Sequence, residues 1–135
     1  KGGTPVTEAD HASNDLLAGM LRGARPDYGW LSEETVDDPA RLATARQFIV
    51  DPLDGTVSFI KGRDDFTVSL AVTENGVAVA GAVFNPSRGE MFAAAAGAGA
   101  TLNGAPIRAS ATAQIAGCRM VAARASEAAI LKAAR

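Results

Sequence analysis

The sequence is short of the residues that anchor many reaction mechanisms. It has one cysteine, Cys118, and one histidine, His11. A lone cysteine forms no internal disulfide and fits a reducing compartment, so the expected location is cytoplasmic. No apolar run is long enough to cross a bilayer, and no signal peptide opens the chain. There is no basic surplus: 13 Lys and Arg stand against 15 Asp and Glu, a net charge of −2. That balance argues against a nucleic-acid-binding module. Aromatic residues make up only 5% of the chain, yet 47% of it is apolar. A chain of 135 residues with that apolar share can bury a core, which excludes a disordered tail or a disulfide scaffold. The first residue is Lys1 rather than Met, so a longer parent protein is expected.

Local patterns order the chain. Ala9, Ala12, Leu16 and Met20, with Leu17, Leu21 and Ala24, recur at helical spacing. Thr7 is the expected N-cap, Asp10 completes a capping box, and Pro26 lies beyond the end. Tyr28, Trp30 and Leu31 form a short extended run, and Val36 to Arg46 reads as a loop or short helix. Gln47 to Val50 reads as a buried strand that stops at Asp51-Pro52. Further strands are expected over Phe66–Thr73, Val77–Phe84 and Glu90–Ala95, with turns at Asn75-Gly76, Asn85–Gly89 and Asn103-Gly104. Ser126 to Arg135 reads as a final helix. The expected class is α+β, a helix layer packed on a mostly antiparallel sheet.

Three acidic segments stand beside expected element ends. Asp51-Pro52-Leu53-Asp54-Gly55-Thr56 directly follows an apolar strand. Two carboxylates held by a strand end and a stiff proline can converge on a hard cation such as Mg²⁺. Gly55 lets the backbone turn closely, and the following amides can face an anion. An ordinary strand-to-turn junction is the competing reading, because Asp-Pro and Asp-Gly are turn formers. An EF-hand is not supported, since its alternating acids and terminal Glu are missing. Ser32-Glu33-Glu34 taken alone reads as a solvated loop, and Pro5-Val6-Thr7-Glu8-Ala9-Asp10 as a helix start with acids at the positive end of its dipole. The Gly97–Gly104 loop lacks the Gly-Lys-Ser/Thr ending of a nucleotide cradle. His11 reads as an exposed helix residue, Cys118 as a small buried one, and Trp30 and Phe48 as core.

Taken together, Lys1 with Pro5–Asp10, Leu31-Ser32-Glu33-Glu34 and Asp51–Thr56 resemble the inositol monophosphatase superfamily in order and spacing. The similarity extends over about Lys1 to Ser110. The resemblance implies a Mg²⁺-dependent, lithium-sensitive phosphatase acting on a small phosphorylated metabolite, and it is compatible with a homodimer. It implies that Glu33, Asp51, Asp54 and the carbonyl of Leu53 bind metal. Thr56 paired with Asp10 would activate the attacking water, and Glu34 would orient a metal-bound water. Gly55 and Thr56 would hold phosphate through their amides, and Lys1 would reach the substrate from an entry loop.

By the same resemblance, residues 1–135 are the N-terminal metal-binding lobe of a layered αβαβα sugar-phosphatase fold. The C-terminal lobe, which carries a Trp-Asp metal-ligand segment in the family, is absent from this sequence. Ser32 before the paired acids and Phe59-Ile60-Lys61 are similar to the 3'(2'),5'-bisphosphate nucleotidase branch. The implied substrate is then adenosine 3',5'-bisphosphate, released as AMP. Inositol-1-phosphate is the alternative substrate, and a non-catalytic partner-binding module is the alternative class.

Overall fold

A computed structural model describes residues 5–113. Lys1, Cys118 and the helix expected over 126–135 lie outside the described residues. Helix α1 spans Glu8–Ala24 and starts as its sequence predicts. The Thr7 hydroxyl accepts from the Ala9 amide at 3.2 Å, and the Asp10 carboxylate accepts from the Thr7 amide at 2.8 Å. A single seven-stranded sheet follows in the order β1 to β7. Its strands are β1 (Gly29–Ser32), β2 (Arg46–Asp54), β3 (Thr67–Glu74), β4 (Val77–Asn85), β5 (Glu90–Ala95), β6 (Gly99–Leu102) and β7 (Ala105–Ile107). Among the described residues only β1 and β2 pair in parallel; every later pair is antiparallel. The α+β class and the mostly antiparallel sheet therefore hold.

The sheet is a meander because its turns are chemically suited to tight reversals. Asn75 and Gly76 adopt φ of 50° and 81°, and Asn103 and Gly104 adopt 48° and 81°. Two consecutive positive φ values match the twist of paired strands in a two-residue hairpin. Strands β6 and β7 were not anticipated on either side of Asn103-Gly104, because each is only three or four residues long. The Val36–Arg46 segment resolves into one 3₁₀ turn, Pro39–Ala43, capped by the Asp38 side chain.

Two points go beyond the sequence. The helical spacing left open which stripe of α1 is buried. Leu16 and Met20 are exposed, at 64% and 65%, whereas Asp10 and Asn14 are buried. The helix turns Asp10, Asn14, Leu17 and Leu21 toward the sheet, a spacing of four, three and four residues that keeps one face. Leu21 lines an apolar groove with Phe48, Leu70 and Val72. The upper part of the same face is polar because its side chains find hydrogen-bond partners on the strand ends.

The second corrects an expectation: β2 does not stop at Asp51-Pro52 but runs on to Asp54. Asp51 pairs with Ser69 and Asp54 with Thr67, so three residue steps on β2 face two on β3. The extra residue is a bulge, which tolerates Pro52 within the strand. Phe48, Val50 and Leu53 are the buried apolar residues of the described region, and Pro52 is fully buried beside them. Phe48 stacks at 5.1 Å from Tyr28 and 6.4 Å from Trp30, ring centre to ring centre. Phe48 is core as expected, while Trp30 is half-buried.

Candidate metal centre

Strands β1 and β2 run side by side, and β1 ends where the Asp51–Asp54 stretch of β2 begins. Ser32 is in register with Val50, and the Glu33 amide donates to the Val50 carbonyl at 3.2 Å. Glu33 thereby emerges beside Asp51. In a regular strand, side chains three apart point to opposite faces. The bulge shifts that parity between Asp51 and Asp54, so both carboxylates can work on one side. The charges are mutually felt: Asp51 is pushed up to about 6, first by burial, then by the charges of Glu33 and Asp54. Among the described residues the ion pairs are Arg41–Asp37 and Arg46–Glu74, and neither touches this group.

Gly55 ends the strand with φ of 89°, in the left-handed region, and opens the short helix α2, Thr56–Ile60. A side chain at Gly55 would place its Cβ 2.7 Å from the Asp65 carbonyl. Both the turn and the close approach require glycine. Helix α2 escaped the sequence reading because Thr-Val-Ser-Phe-Ile is rich in residues that favour extended chain.

Thr56 is brought to Asp10 by tertiary folding alone. Its hydroxyl lies 3.2 Å from Asp10 Oδ1 and 3.0 Å from the Leu53 carbonyl, so one proton serves two acceptors. Asp10 is only 1% exposed. Burial pushes its carboxyl up, but hydrogen bonds from the Thr7 hydroxyl, the Thr7 amide and Thr56 outweigh this and hold it below the ordinary carboxylate range. Glu34 is shifted the other way, raised by burial and by the charge of Asp10, with His11 partly opposing. His11 is exposed, as expected.

The structure thus brings Asp10, Glu33, Glu34, Asp51, Leu53, Asp54, Gly55 and Thr56 to one end of β1 and β2. It does not close the acids into a finished shell: among the described residues no three Asp, Glu, His or Cys side chains converge to metal-holding distance. The donor set nonetheless fits a hard cation. It is made of carboxylates and a carbonyl, and among the described residues none of these acids has an ion-pair partner. Asp51 is raised first by burial and then by its acidic neighbours. Asn14 was missed at the sequence level. Its only signal was a buried-face position one turn beyond Asp10.

The chain is similar to known proteins over most of its length. A histidinol-phosphatase of Chlorobaculum parvum is 38% identical over 111 residues, covering 82% of this chain and 42% of that protein. The 3'(2'),5'-bisphosphate nucleotidase CysQ of Escherichia coli is 41% identical over 97 residues, covering 70% and 39%. The crystal structure of an inositol monophosphatase from Thermotoga maritima superposes with a TM-score of 0.76 at 35% identity, covering 84% of this chain and 44% of that one. The chain spans less than half the length of each of these relatives. Residues 1–133 match the Inositol monophosphatase family, and the chain belongs to that family.

Proposed function

We propose that the protein containing this chain is a Mg²⁺-dependent phosphatase that transfers the phosphoryl group of a small monoester to water. One observation carries the reading: Glu33 and Asp54 crowd their charges onto half-buried Asp51, with no cationic side chain paired to any of the three among the described residues. Glu33, Asp51, Asp54 and the Leu53 carbonyl would hold Mg²⁺. When bound, the cation supplies Lewis-acid stabilisation and lowers the pKa of a coordinated water. The Leu53 carbonyl has two lone pairs, so it can ligate and still accept from Thr56.

The chain's own residues supply positioning and proton handling. Asp10 is held ionised and accepts from the Thr56 hydroxyl, which leaves the Thr56 oxygen free to accept from an attacking water. Glu34, whose carboxyl is raised by burial and by the charge of Asp10, would orient a metal-bound water. The amides of Gly55 and Thr56 would bind phosphate, and Gly55 permits the close approach. Lys1 is assigned to the substrate side from family resemblance. These residues form the metal-binding lobe of a two-lobed enzyme, with the second lobe completing the substrate pocket.

The favoured substrate is adenosine 3',5'-bisphosphate. Ser32 before the paired acids and the similarity to the CysQ nucleotidase support it. The expected setting is the cytoplasm; among the described residues no helix is long and apolar enough to cross a membrane. The test is phosphate release by the full-length protein from adenosine 3',5'-bisphosphate, inositol-1-phosphate and histidinol phosphate, with and without Mg²⁺ and with added Li⁺. Faster Mg²⁺-dependent release from the bisphosphate, inhibited by Li⁺, supports the reading. No Mg²⁺-dependent release from any of the three sinks it.

A further inference from the structure

The buried pair Asn14 and Ser32 joins α1 to the end of β1, directly behind the Glu33-Glu34 turn. Asn14 is 4% exposed and Ser32 is 4% exposed. The Ser32 hydroxyl donates to Asn14 Oδ1 at 2.7 Å and accepts from the Glu34 amide at 3.3 Å. Both hydrogen-bonding roles of the hydroxyl are therefore used, and the turn that carries Glu33 and Glu34 hangs from it. The Thr35 amide donates to the Ser32 carbonyl at 3.5 Å and closes the same turn.

Asn14 lies one helical turn beyond Asp10, and Asp10 holds Thr56. Helix α1 thus grips two separate parts of the centre from one face. Asp10 fixes the segment after β2, and Asn14 fixes the segment after β1. A helix is stiff over one turn, so the spacing between Asp10 and Asn14 sets the spacing between Thr56 and the Glu33-Glu34 turn. A buried hydrogen bond of this kind has no water to replace it when one partner is lost.

We propose that Asn14 and Ser32 are positioning residues that register the Glu33-Glu34 turn against Asp51 and Thr56 and so preorganise the cation site. The proposal rests on the metal-phosphatase reading. It concerns residues that touch neither cation nor substrate. Groups that orient metal ligands typically contribute ten- to a hundredfold in metal affinity. The Asn14–Ser32 bond acts one step further back, through the backbone of the turn, so about tenfold is expected.

The test measures Mg²⁺ binding to the full-length protein by calorimetry, with no substrate present, beside thermal melting. Ser32→Ala and Asn14→Leu should each weaken Mg²⁺ binding about tenfold. The double variant should lose little more than either single one, because both remove the same bond. Ser32→Thr keeps the hydroxyl without adding charge and should retain Mg²⁺ affinity. A merely structural pair would lower the melting temperature and leave Mg²⁺ affinity unchanged, and that result overturns the proposal. If Ser32→Ala fails to fold, Ser32→Thr against Asn14→Leu decides: equal Mg²⁺ affinity overturns it. Asp51→Asn separates the two levels of inference. Undiminished Mg²⁺ binding in Asp51→Asn removes the metal reading itself. Lost binding in Asp51→Asn with wild-type binding in both Ser32→Ala and Asn14→Leu removes only the positioning role.

Discussion

Thr56 and Asp10 are 46 positions apart in sequence and 3.2 Å apart in space, hydroxyl to carboxylate. That contact ties the first turn of α1 to the first residue of α2. It joins a capping-box residue of α1 and the residue after the Gly55 N-cap into one hydrogen-bonded unit.

Removing the hydroxyl should therefore cost turnover far more than folding. Thr56→Val keeps the shape and deletes the donor, and phosphate release by the full-length protein should fall about a hundredfold or more. Thr56→Ser restores the hydroxyl and should recover most of the rate. Asp10 is held below the usual carboxylate range, so it is ionised above that range and its contribution is lost only as pH falls through its lowered value. The rate should show no inflection from Asp10 between pH 5 and 8; an inflection there that disappears in Asp10→Asn would contradict this.

Asp51 predicts an interaction between pH and metal. Its folded value of about 6 lies above the unfolded carboxylate value near 3.9. The folded state keeps a proton that the unfolded state has released, so metal-free stability should fall as pH rises from about 4 through about 6. After solvent screening the loss is on the order of 1–2 kcal/mol. Mg²⁺ should relieve it, raising the melting temperature more at pH 7.5 than at pH 5. In Asp51→Asn the metal-free decline should flatten. Equal Mg²⁺ effects at the two pH values in the unsubstituted protein would exclude this coupling.

Gly55→Ala should be among the most damaging small substitutions. It forces a side chain into left-handed backbone at φ of 89° and to 2.7 Å from the Asp65 carbonyl. The backbone penalty alone is about 1–2 kcal/mol. Melting should drop, and inhibition by inorganic phosphate should weaken. Wild-type values for both would show that this turn is freely remodelled.

Phe48→Ala tests the core beneath the centre. Phe48 is 5% exposed and packs against Tyr28 and Trp30. Its loss should cost about 3–5 kcal/mol in denaturant unfolding. A cost under 1 kcal/mol would mean that the core can collapse around the gap.

Much of this arrangement was legible in the sequence where the signal is local. The Thr7–Asp10 capping box and the Asn75-Gly76 and Asn103-Gly104 turns rest on contacts within a few residues. The face of α1 was not legible. Two apolar stripes compete along that helix, and the winner is set by partners far away, Thr56 for Asp10 and Ser32 for Asn14. The continuation of β2 past Pro52 was hidden too, because proline ordinarily ends a paired strand and only the bulge accommodates it. The acids of the centre were visible as residues, but the crowding on Asp51 needed the parallel register of β1 and β2.

The bulge also ties stability and activity together at one place in the chain. Deleting one residue between Asp51 and Asp54 would make the β2–β3 ladder regular, but the residue removed would be Pro52 or Leu53, and both are buried. The two aspartates would still share a face, now two positions apart on a plain strand. What would go is buried apolar volume and the Leu53 carbonyl's place beneath Thr56. A regular sheet at this point should therefore cost the fold and the cation together.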